Sequence, residues 1–360
     1  AVANSASAMP GATVARLVGW GGRGAPRPQR APRMSSLLQP TIFDPHLAPI
    51  NRHVEAAERE GIAWVLRFYP ALAQTPGRLR KLKAAKFARL AARALPRVPL
   101  AELQLVCDFI TWLFFYDDTF CDRSGNTPDP LGRLRIAQGR MTAAMRGEPV
   151  RTEDGPLVAM LADLGARISA WAKPNFLPRF YATVERYFQS NVWELGNLVR
   201  KASPPGPLYL KMRPFTGGVG VVLDLFELVG RESLLAVREH VLVQQLELLA
   251  NNCICWANDI GSLGKEMQEG NPHNLVLVLR RDHGLSIEGA LERARAMLAG
   301  EEAAFDALVD EVLALAESSD LHLRVHVGNL RSFVRGNLVW MQETTRYRAS
   351  RPAGRDRAAA

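Results

Sequence analysis

The sequence has few cysteines, and their spacing excludes two common kinds of small, cross-linked fold. Only four of its 360 residues are cysteine, namely Cys107, Cys121, Cys253 and Cys255. Neither a disulfide framework nor a zinc site has this spacing, and no pair of histidines lies near it. We therefore predict free, mostly buried thiols in a reducing compartment, and a cytoplasmic protein.

Long apolar runs are also missing. No stretch reaches the roughly 20 consecutive apolar residues that a membrane-spanning helix needs. Hydrophobic residues nevertheless make up 48% of the chain, which is ample for a core. We expect a large buried interior and no stable insertion into a membrane.

Acidic residues are absent from the beginning of the chain, since none precedes Asp44. More than half of the net charge of +9 therefore lies in five early arginines, which are Arg16, Arg23, Arg27, Arg30 and Arg33. Because this charge is not on the predicted fold, we expect no nucleic-acid partner. Residues 1–40 read as a disordered tail. A transit peptide, or translation that starts at Met34, remains open.

Alternating β-branched runs are scarce, and apolar residues recur at helical spacing between about 41 and 349. This pattern predicts one all-α domain over residues 41–349, followed by a disordered tail at 350–360. Proline and glycine divide the pattern into the predicted helices 53–69, 79–94, 100–121, 130–146, 154–172, 176–202, 206–216, 219–229, 232–266, 286–299, 301–317 and 320–347.

One of these helices carries a polar row. Asn258, Ser262 and Glu266 are spaced four residues apart, so they lie on one face of a helix that turns about 100° per residue. An amide oxygen, a hydroxyl and a carboxylate form an all-oxygen donor set of low charge. Such a set suits Mg2+, which keeps several waters and shares a phosphate. By itself the row is compatible with any magnesium enzyme.

A second acidic cluster, Asp117, Asp118 and Asp122, follows an aromatic helix. Three carboxylates this close repel one another unless a cation offsets them. They also fall near the C-terminal end of the helix, where the helix dipole disfavours negative charge. We therefore predict that the cluster binds metal.

Together these motifs resemble those of bacterial-type class I terpene synthases. Asp117, Asp118 and Asp122 match the longer spacing of that family's aspartate-rich motif. Its Asn-Asp-x-x-Ser-x-x-x-Glu motif is matched by Asn258, Asp259, Ser262 and Glu266, with Lys265 in the basic position. Two further marks agree, the stretch from Tyr209 through Arg213 to Gly217 and the pair Arg346-Tyr347. The four marks occur in the family's order.

The resemblance implies a class I helical bundle around a central apolar cavity, and a site that binds an isoprenoid diphosphate with three Mg2+ ions. Asn258, Ser262 and Glu266 would hold one ion, and the aspartates, Asp117 above all, would hold the other two. Arg213, Lys265, Arg346 and Tyr347 would then donate hydrogen bonds to the diphosphate. Asp259 is off the metal row, and we expect it to anchor the helix.

Ionisation of such a substrate leaves a carbocation, which aromatic faces stabilise. The resemblance places Phe114 and Trp340 on the cavity wall. It also identifies the interruption at Thr216 and Gly217 as a broken helix, with an exposed Gly217 carbonyl that helps to trigger ionisation. Clustered glycines weaken a helix by about 1 kcal/mol each.

The favoured function is therefore Mg2+-dependent cyclisation of a linear isoprenoid diphosphate. Farnesyl diphosphate is favoured by its frequency in the family, while geranyl and geranylgeranyl diphosphate remain open. Prenyl-chain elongation would need two aspartate-rich motifs, and acid-initiated cyclases need Asp-x-Asp-Asp, which is absent. A non-enzymatic helical scaffold is the alternative of a different class. A homodimer is left open.

Overall fold

Thirteen α-helices form the regular structure of the part of the chain that the computed structural model describes, residues 48–120, 128–230, 238–315 and 321–347. These residues belong to one compact unit, Pro32–Ala360, and no strand occurs among them. The predicted all-α class is confirmed. The predicted tails at 1–40 and 350–360 lie outside the described residues.

The helices, apart from a single 3-10 turn at Pro70–Leu72, are α1 Val54–Phe68, α2 Pro76–Ala85, α3 Phe87–Ala94, α4 Leu100–Phe120, α5 Pro130–Met145, α6 Pro156–Trp171, α7 Phe176–Val199, α8 Gly206–Thr216, α9 Val219–Val229, α10 Val241–Glu269, α11 Leu275–His283, α12 Ile287–Leu315 and α13 Leu321–Glu343.

Two helices lie at the centre because they are apolar around most of their circumference, which is the pattern of a fully buried helix. On α4, Phe109, Trp112 and Tyr116 are completely buried or nearly so. On α9, nearly every residue is buried. Helices α1, α3 and α6 pack against α4, while α7, α10 and α13 pack against α9. The bundle therefore closes around the contact between α4 and α9.

The C-terminal turn is attached to the bundle by hydrogen bonds to the end of α2. Trp340 Nε1 lies 3.0 Å from the carbonyl oxygen of Ala85, and Thr344 Oγ1 lies 2.9 Å from the same atom. The backbone nitrogen of Thr345 donates to the carbonyl of Ala84 at 3.1 Å. These contacts fix the position of the residues that follow α13.

Several helix boundaries differ from the predicted ones. The predicted helix 79–94 is interrupted at Lys86, whose φ of 53° places it in the left-handed region. The two helices predicted on either side of Gly300 form the single helix α12. Helix α11 was not predicted, since its run of leucine and valine is too short to separate helix from strand. The predicted start of α10 at 232 falls on residues 231–237, outside the described part.

None of the described helices is both long enough and apolar enough to span a membrane.

Candidate active site

The polar row predicted from the sequence lies on α10. Asn258, Ser262 and Glu266 follow one another at helical spacing, and Ser262 Oγ donates to the carbonyl oxygen of Asn258 at 2.7 Å. The carboxylate of Glu266 accepts a hydrogen bond of 2.6 Å from Asn274 Nδ2. Asn274 therefore fixes the carboxylate at the end of the row.

Asn258 joins two segments that are distant in sequence. Its Oδ1 accepts from Arg213 Nη2 at 3.1 Å, and its Nδ2 donates to the hydroxyl of Tyr347 at 2.7 Å. Arg213 belongs to α8, and Tyr347 follows α13. Three of the four sequence motifs thus meet at one amide side chain.

Behind this row, Asp259 connects α10 to two other helices. Its carboxylate accepts hydrogen bonds from the hydroxyl of Tyr209 and, at 3.1 Å, from the backbone nitrogen of Leu275. Arg213 Nη2 lies 2.8 Å from Asp259 Oδ1, and Asp259 is fully buried. Burial acts to lower the pKa of Arg213, but the charge of Asp259, with smaller contributions from its neighbours, raises that pKa well above its usual value. Arg213 is therefore charged and held rigidly.

The first two aspartates of the aspartate motif lie at the C-terminal end of α4. Arg346 binds both carboxylate oxygens of Asp118, at 2.8 and 3.0 Å, and also lies 3.4 Å from Asp117. Lys265 Nζ is 4.0 Å from Asp118 Oδ1. Two cations expected to contact a diphosphate thus lie beside the aspartates. Asp122 falls outside the described residues.

An aromatic cluster adjoins the aspartates. Phe114 stacks on Phe87, with ring centroids 4.6 Å apart, and both rings lie near Trp340. The guanidinium carbon of Arg346 lies 4.5 Å from the centroid of Phe114, within the range of a cation–π contact. Tyr347 meets Trp340 edge to face at 5.8 Å.

A single cavity reaches both the polar and the aromatic groups. Seven of the predicted site residues line its polar part, and Phe114 and Trp340 line its wall; the seven are Asp117, Arg213, Thr216, Gly217, Asn258, Glu266 and Tyr347. Other apolar lining comes from Leu90, Ile110, Leu113, Val219, Val222, Ile254 and Phe333. Of the predicted residues that the structure describes, Asp118, Ser262, Lys265 and Arg346 lie outside this lining.

The helix interruption predicted at the glycine cluster separates α8 from α9. Gly218 has a φ of 70°, a left-handed conformation that favours glycine. At Gly217 the constraint is space, because a Cβ atom there would come within 2.3 Å of Cys255 Sγ. The break therefore lies directly against α10.

The donor atoms on α10 fit a hard cation. Asn258, Ser262 and Glu266 offer oxygen ligands of three types, which suits Mg2+. Burial, with the nearby charge of Asp259, raises the pKa of Glu266 to about 8. A carboxylate in such surroundings is stabilised in its charged form by a cation. Within the described ranges, no three His, Cys, Asp or Glu side chains form a group that could hold a metal ion. Glu266 is the one carboxylate of the row, so Asn258 and Ser262 would supply its other side-chain ligands through an amide and a hydroxyl oxygen.

Several residues at the site were not singled out by sequence reasoning. Asn274 caps the start of α11, a role that its position before an apolar run could have indicated. Glu194, Asn271 and His273 line the cavity beside the polar row, and Asn337 lies on its wall. These four carry no local pattern that indicates a site, since only the packing of distant helices brings them there.

Comparison with known proteins gives one consistent family. Residues 108–304 match the family described as terpene synthase family 2, C-terminal metal binding. The chain is 36% identical over 304 residues to (+)-T-muurolol synthase ((2E,6E)-farnesyl diphosphate cyclizing) from Roseiflexus castenholzii, covering 84% of this chain and 92% of that protein. It is 32% identical to (+)-eremophilene synthase from Sorangium cellulosum, covering 84% and 91%.

The fold agrees with solved structures. The crystal structure of germacradien-4-ol synthase from Streptomyces citricolor superposes with a TM-score of 0.71 at 22% sequence identity, covering 85% of this chain and 99% of that one. At this identity the likeness concerns the fold alone, and it matches the helical bundle described above.

Proposed function

The chain belongs to the bacterial-type class I terpene synthases, and on that premise we propose that it converts farnesyl diphosphate to a cyclic sesquiterpene. It is an enzyme, a carbon–oxygen lyase that acts on isoprenoid diphosphates and uses a metal cofactor. The choice of farnesyl diphosphate is supported by the Roseiflexus relative, whose name states that it cyclises this substrate.

One observation carries the proposal about the site. Asn258 connects Arg213 and Tyr347 at the polar part of a cavity whose other lining is largely apolar. A cavity that combines cationic and polar groups with an apolar wall fits a diphosphate joined to a hydrocarbon chain. All of these residues belong to one chain, and a homodimer stays open.

We assign the metal ligands as the sequence motifs indicate. Asn258, Ser262 and Glu266 would hold one Mg2+ ion, and Asp117, with Asp118 and Asp122, would hold two others. Bound Mg2+ would supply positive charge to the leaving diphosphate and act as a template for its orientation. The buried carboxylate of Glu266 and the oxygen-only donor set support this assignment.

The cationic side chains are proposed to bind the diphosphate. Arg213 is held in place by Asp259, so it can donate to phosphate oxygens without reorganising. Arg346 and Lys265 lie beside Asp118, and we propose that they turn to the diphosphate when it binds. Tyr347 would add a hydroxyl donor. Charge-assisted bonds of this kind are about twice as strong as neutral ones.

The remaining residues would act on the hydrocarbon part. The faces of Phe114 and Trp340 would stabilise the carbocation that ionisation leaves. Thr216 and Gly217, at the helix break, would place backbone carbonyls near the carbon that loses the diphosphate. The shape of the apolar lining would then determine which cyclic product forms.

The test is incubation of the purified protein with geranyl, farnesyl and geranylgeranyl diphosphate in turn, with Mg2+ and product analysis by mass spectrometry. We expect the highest kcat/KM with farnesyl diphosphate, and cyclic products. Preferred turnover of either other substrate would replace the sesquiterpene proposal with a monoterpene or diterpene synthase. In a parallel incubation that also contains isopentenyl diphosphate, a chain-elongated diphosphate would indicate a prenyltransferase.

A further inference from the structure

The break between α8 and α9 leaves a group of backbone carbonyls without helical partners. The last bond of the first helix joins Gly217 N to Arg213 O at 3.2 Å, and the first bond of the second joins Val222 N to Gly218 O at 3.4 Å. Outside the bonds within helices, no backbone N–H of the described residues donates to the carbonyls from Pro214 to Gly217. Helix ends generally leave four such acceptors, which need other partners.

One of these acceptors is satisfied by a side chain from α10. Asn251 Nδ2 donates to the carbonyl oxygen of Pro214 at 2.9 Å. Asn251 Oδ1 accepts from Cys255 Sγ at 3.2 Å, so both ends of the amide are bound. The side chain is buried, and it is not among the residues that line the cavity.

Asn251 lies on the same helix as the proposed metal row, about two turns before Asn258. A single rigid element therefore carries the row and also holds the end of α8. Cys255 lies one turn after Asn251 on α10, and its sulfur is so close to Gly217 that no side chain would fit between them. The break is therefore packed tightly against α10. The carbonyls that follow Pro214 include those of Thr216 and Gly217, two residues that line the cavity.

We infer that Asn251 is a positioning residue for the ionisation step. By binding the Pro214 carbonyl it fixes the helix break against α10, so the carbonyl dipoles of Thr216 and Gly217 are oriented before the reaction begins. Dipoles fixed in advance stabilise developing charge better than groups that must reorganise. The inference rests on the proposed function, since it concerns the carbocation that this function generates.

The test compares variants at two neighbouring asparagines of α10. Asn251→Leu and Asn251→Asp remove the N–H donor while keeping the approximate size of the side chain. Asn252→Leu is the matched control, because Asn252 also donates from α10, to Glu301 at 2.6 Å and away from the break. Asn251→Gln retains an amide donor and tests for rescue.

Loss of a hydrogen bond to a buried carbonyl should lower kcat with farnesyl diphosphate by about tenfold or more in Asn251→Leu. We expect KM and Mg2+-dependent binding of inorganic diphosphate to change by less than about threefold, because the ligand contacts are intact. Asn251→Gln should recover part of the lost kcat, and Asn252→Leu should stay within about twofold of wild type. If Asn251→Leu does not fold, Asn251→Asp serves in its place.

A wild-type kcat in both Asn251→Leu and Asn251→Asp would overturn the inference. An equal loss in Asn252→Leu, or a loss of diphosphate binding that parallels the loss of kcat, would also overturn it by indicating a general structural role. These outcomes are separate from failure of the proposed function, in which the wild-type protein itself would not turn over any isoprenoid diphosphate.

Discussion

Arg213 and Asp259 form a buried ion pair, with Arg213 Nη2 2.8 Å from Asp259 Oδ1. The same arginine donates to Asn258, so the pair couples the helix that precedes the break to the proposed metal row. A charge held by a buried partner stays in position without the cost of ordering it when ligand arrives.

Asp259→Asn should therefore destabilise the protein and not only weaken its activity. Removing the carboxylate charge leaves Arg213 buried without a counter-ion, which typically costs about 3 to 5 kcal/mol. The measurement is the free energy of unfolding in urea at neutral pH. Glu60→Gln is the control, because Glu60 pairs with Arg59 at 3.9 Å on the surface and should change stability by less than about 0.5 kcal/mol. Equal effects of the two substitutions would contradict this account of Asp259.

Trp340→Phe should change the distribution of products more than the rate of diphosphate release. Trp340 lines the cavity, whereas Trp112 is equally buried, outside the lining, and bonded through Nε1 to the Leu157 carbonyl at 3.0 Å. Trp112→Phe is therefore the control, because it loses one indole hydrogen bond and the same side-chain volume as Trp340→Phe. Product ratios are measured by gas chromatography with mass spectrometry. Unchanged ratios in Trp340→Phe, or the same change in both variants, would remove Trp340 from the proposed wall.

Gly217→Ala should be destabilising because of Cys255. The added Cβ would come within 2.3 Å of Cys255 Sγ, and such overpacking typically costs about 1 to 3 kcal/mol. Gly220→Ala is the control within the same glycine cluster, since its Cβ would meet nothing closer than 3.8 Å.

The double variant Gly217→Ala with Cys255→Ala should recover most of that loss. Thermal and urea unfolding of the four chains give the coupling energy directly. If the two substitutions change the free energy of unfolding additively, the cost of Gly217→Ala does not come from a clash with Cys255.

His273 should make stability fall as the pH decreases. Burial, with the charge of Arg213, lowers the pKa of His273 from 6.5 to about 4. The imidazole is therefore neutral in the folded chain while the unfolded chain takes up a proton below pH 6.5. Stability is lost as the pH falls from about 6.5 towards 4, at roughly 1.4 kcal/mol per pH unit.

The check is the difference in unfolding free energy between wild type and His273→Gln at pH 7.5 and at pH 5. That difference should shift by about 2 kcal/mol in favour of the variant at the lower pH. A difference that is independent of pH would show that His273 does not titrate as its buried position requires.

The helices that carry the site were predictable because their periodicity is long and regular. The positions of Asn258, Ser262 and Glu266 on one helix follow from spacing alone. The break at Gly217 and Gly218 was predictable from composition, since clustered glycine weakens a helix. What the spacing could not give is the contact of Asn258 with Arg213 and Tyr347, which joins α10 to α8 and to the segment after α13 through long-range packing.

Two residues with unusual local behaviour account for the helix boundaries that were predicted wrongly. Lys86 adopts the left-handed conformation that normally selects glycine, so no sequence signal marks the end of α2. Gly300 lies within α12, where packing against α10 and α11 outweighs a local cost of about 1 kcal/mol. In both cases tertiary contacts override the intrinsic preference of one residue.

The most direct test of the central claim is the fate of farnesyl diphosphate with Mg2+ and with a chelator, in wild type and in Glu266→Ala. The account predicts a cyclic C15 product and released diphosphate only with Mg2+. We also expect Glu266→Ala to lower turnover by about a hundredfold, because the proposed metal loses a ligand, with little change in melting temperature. A cyclic product formed without metal, or wild-type turnover in Glu266→Ala, would contradict it.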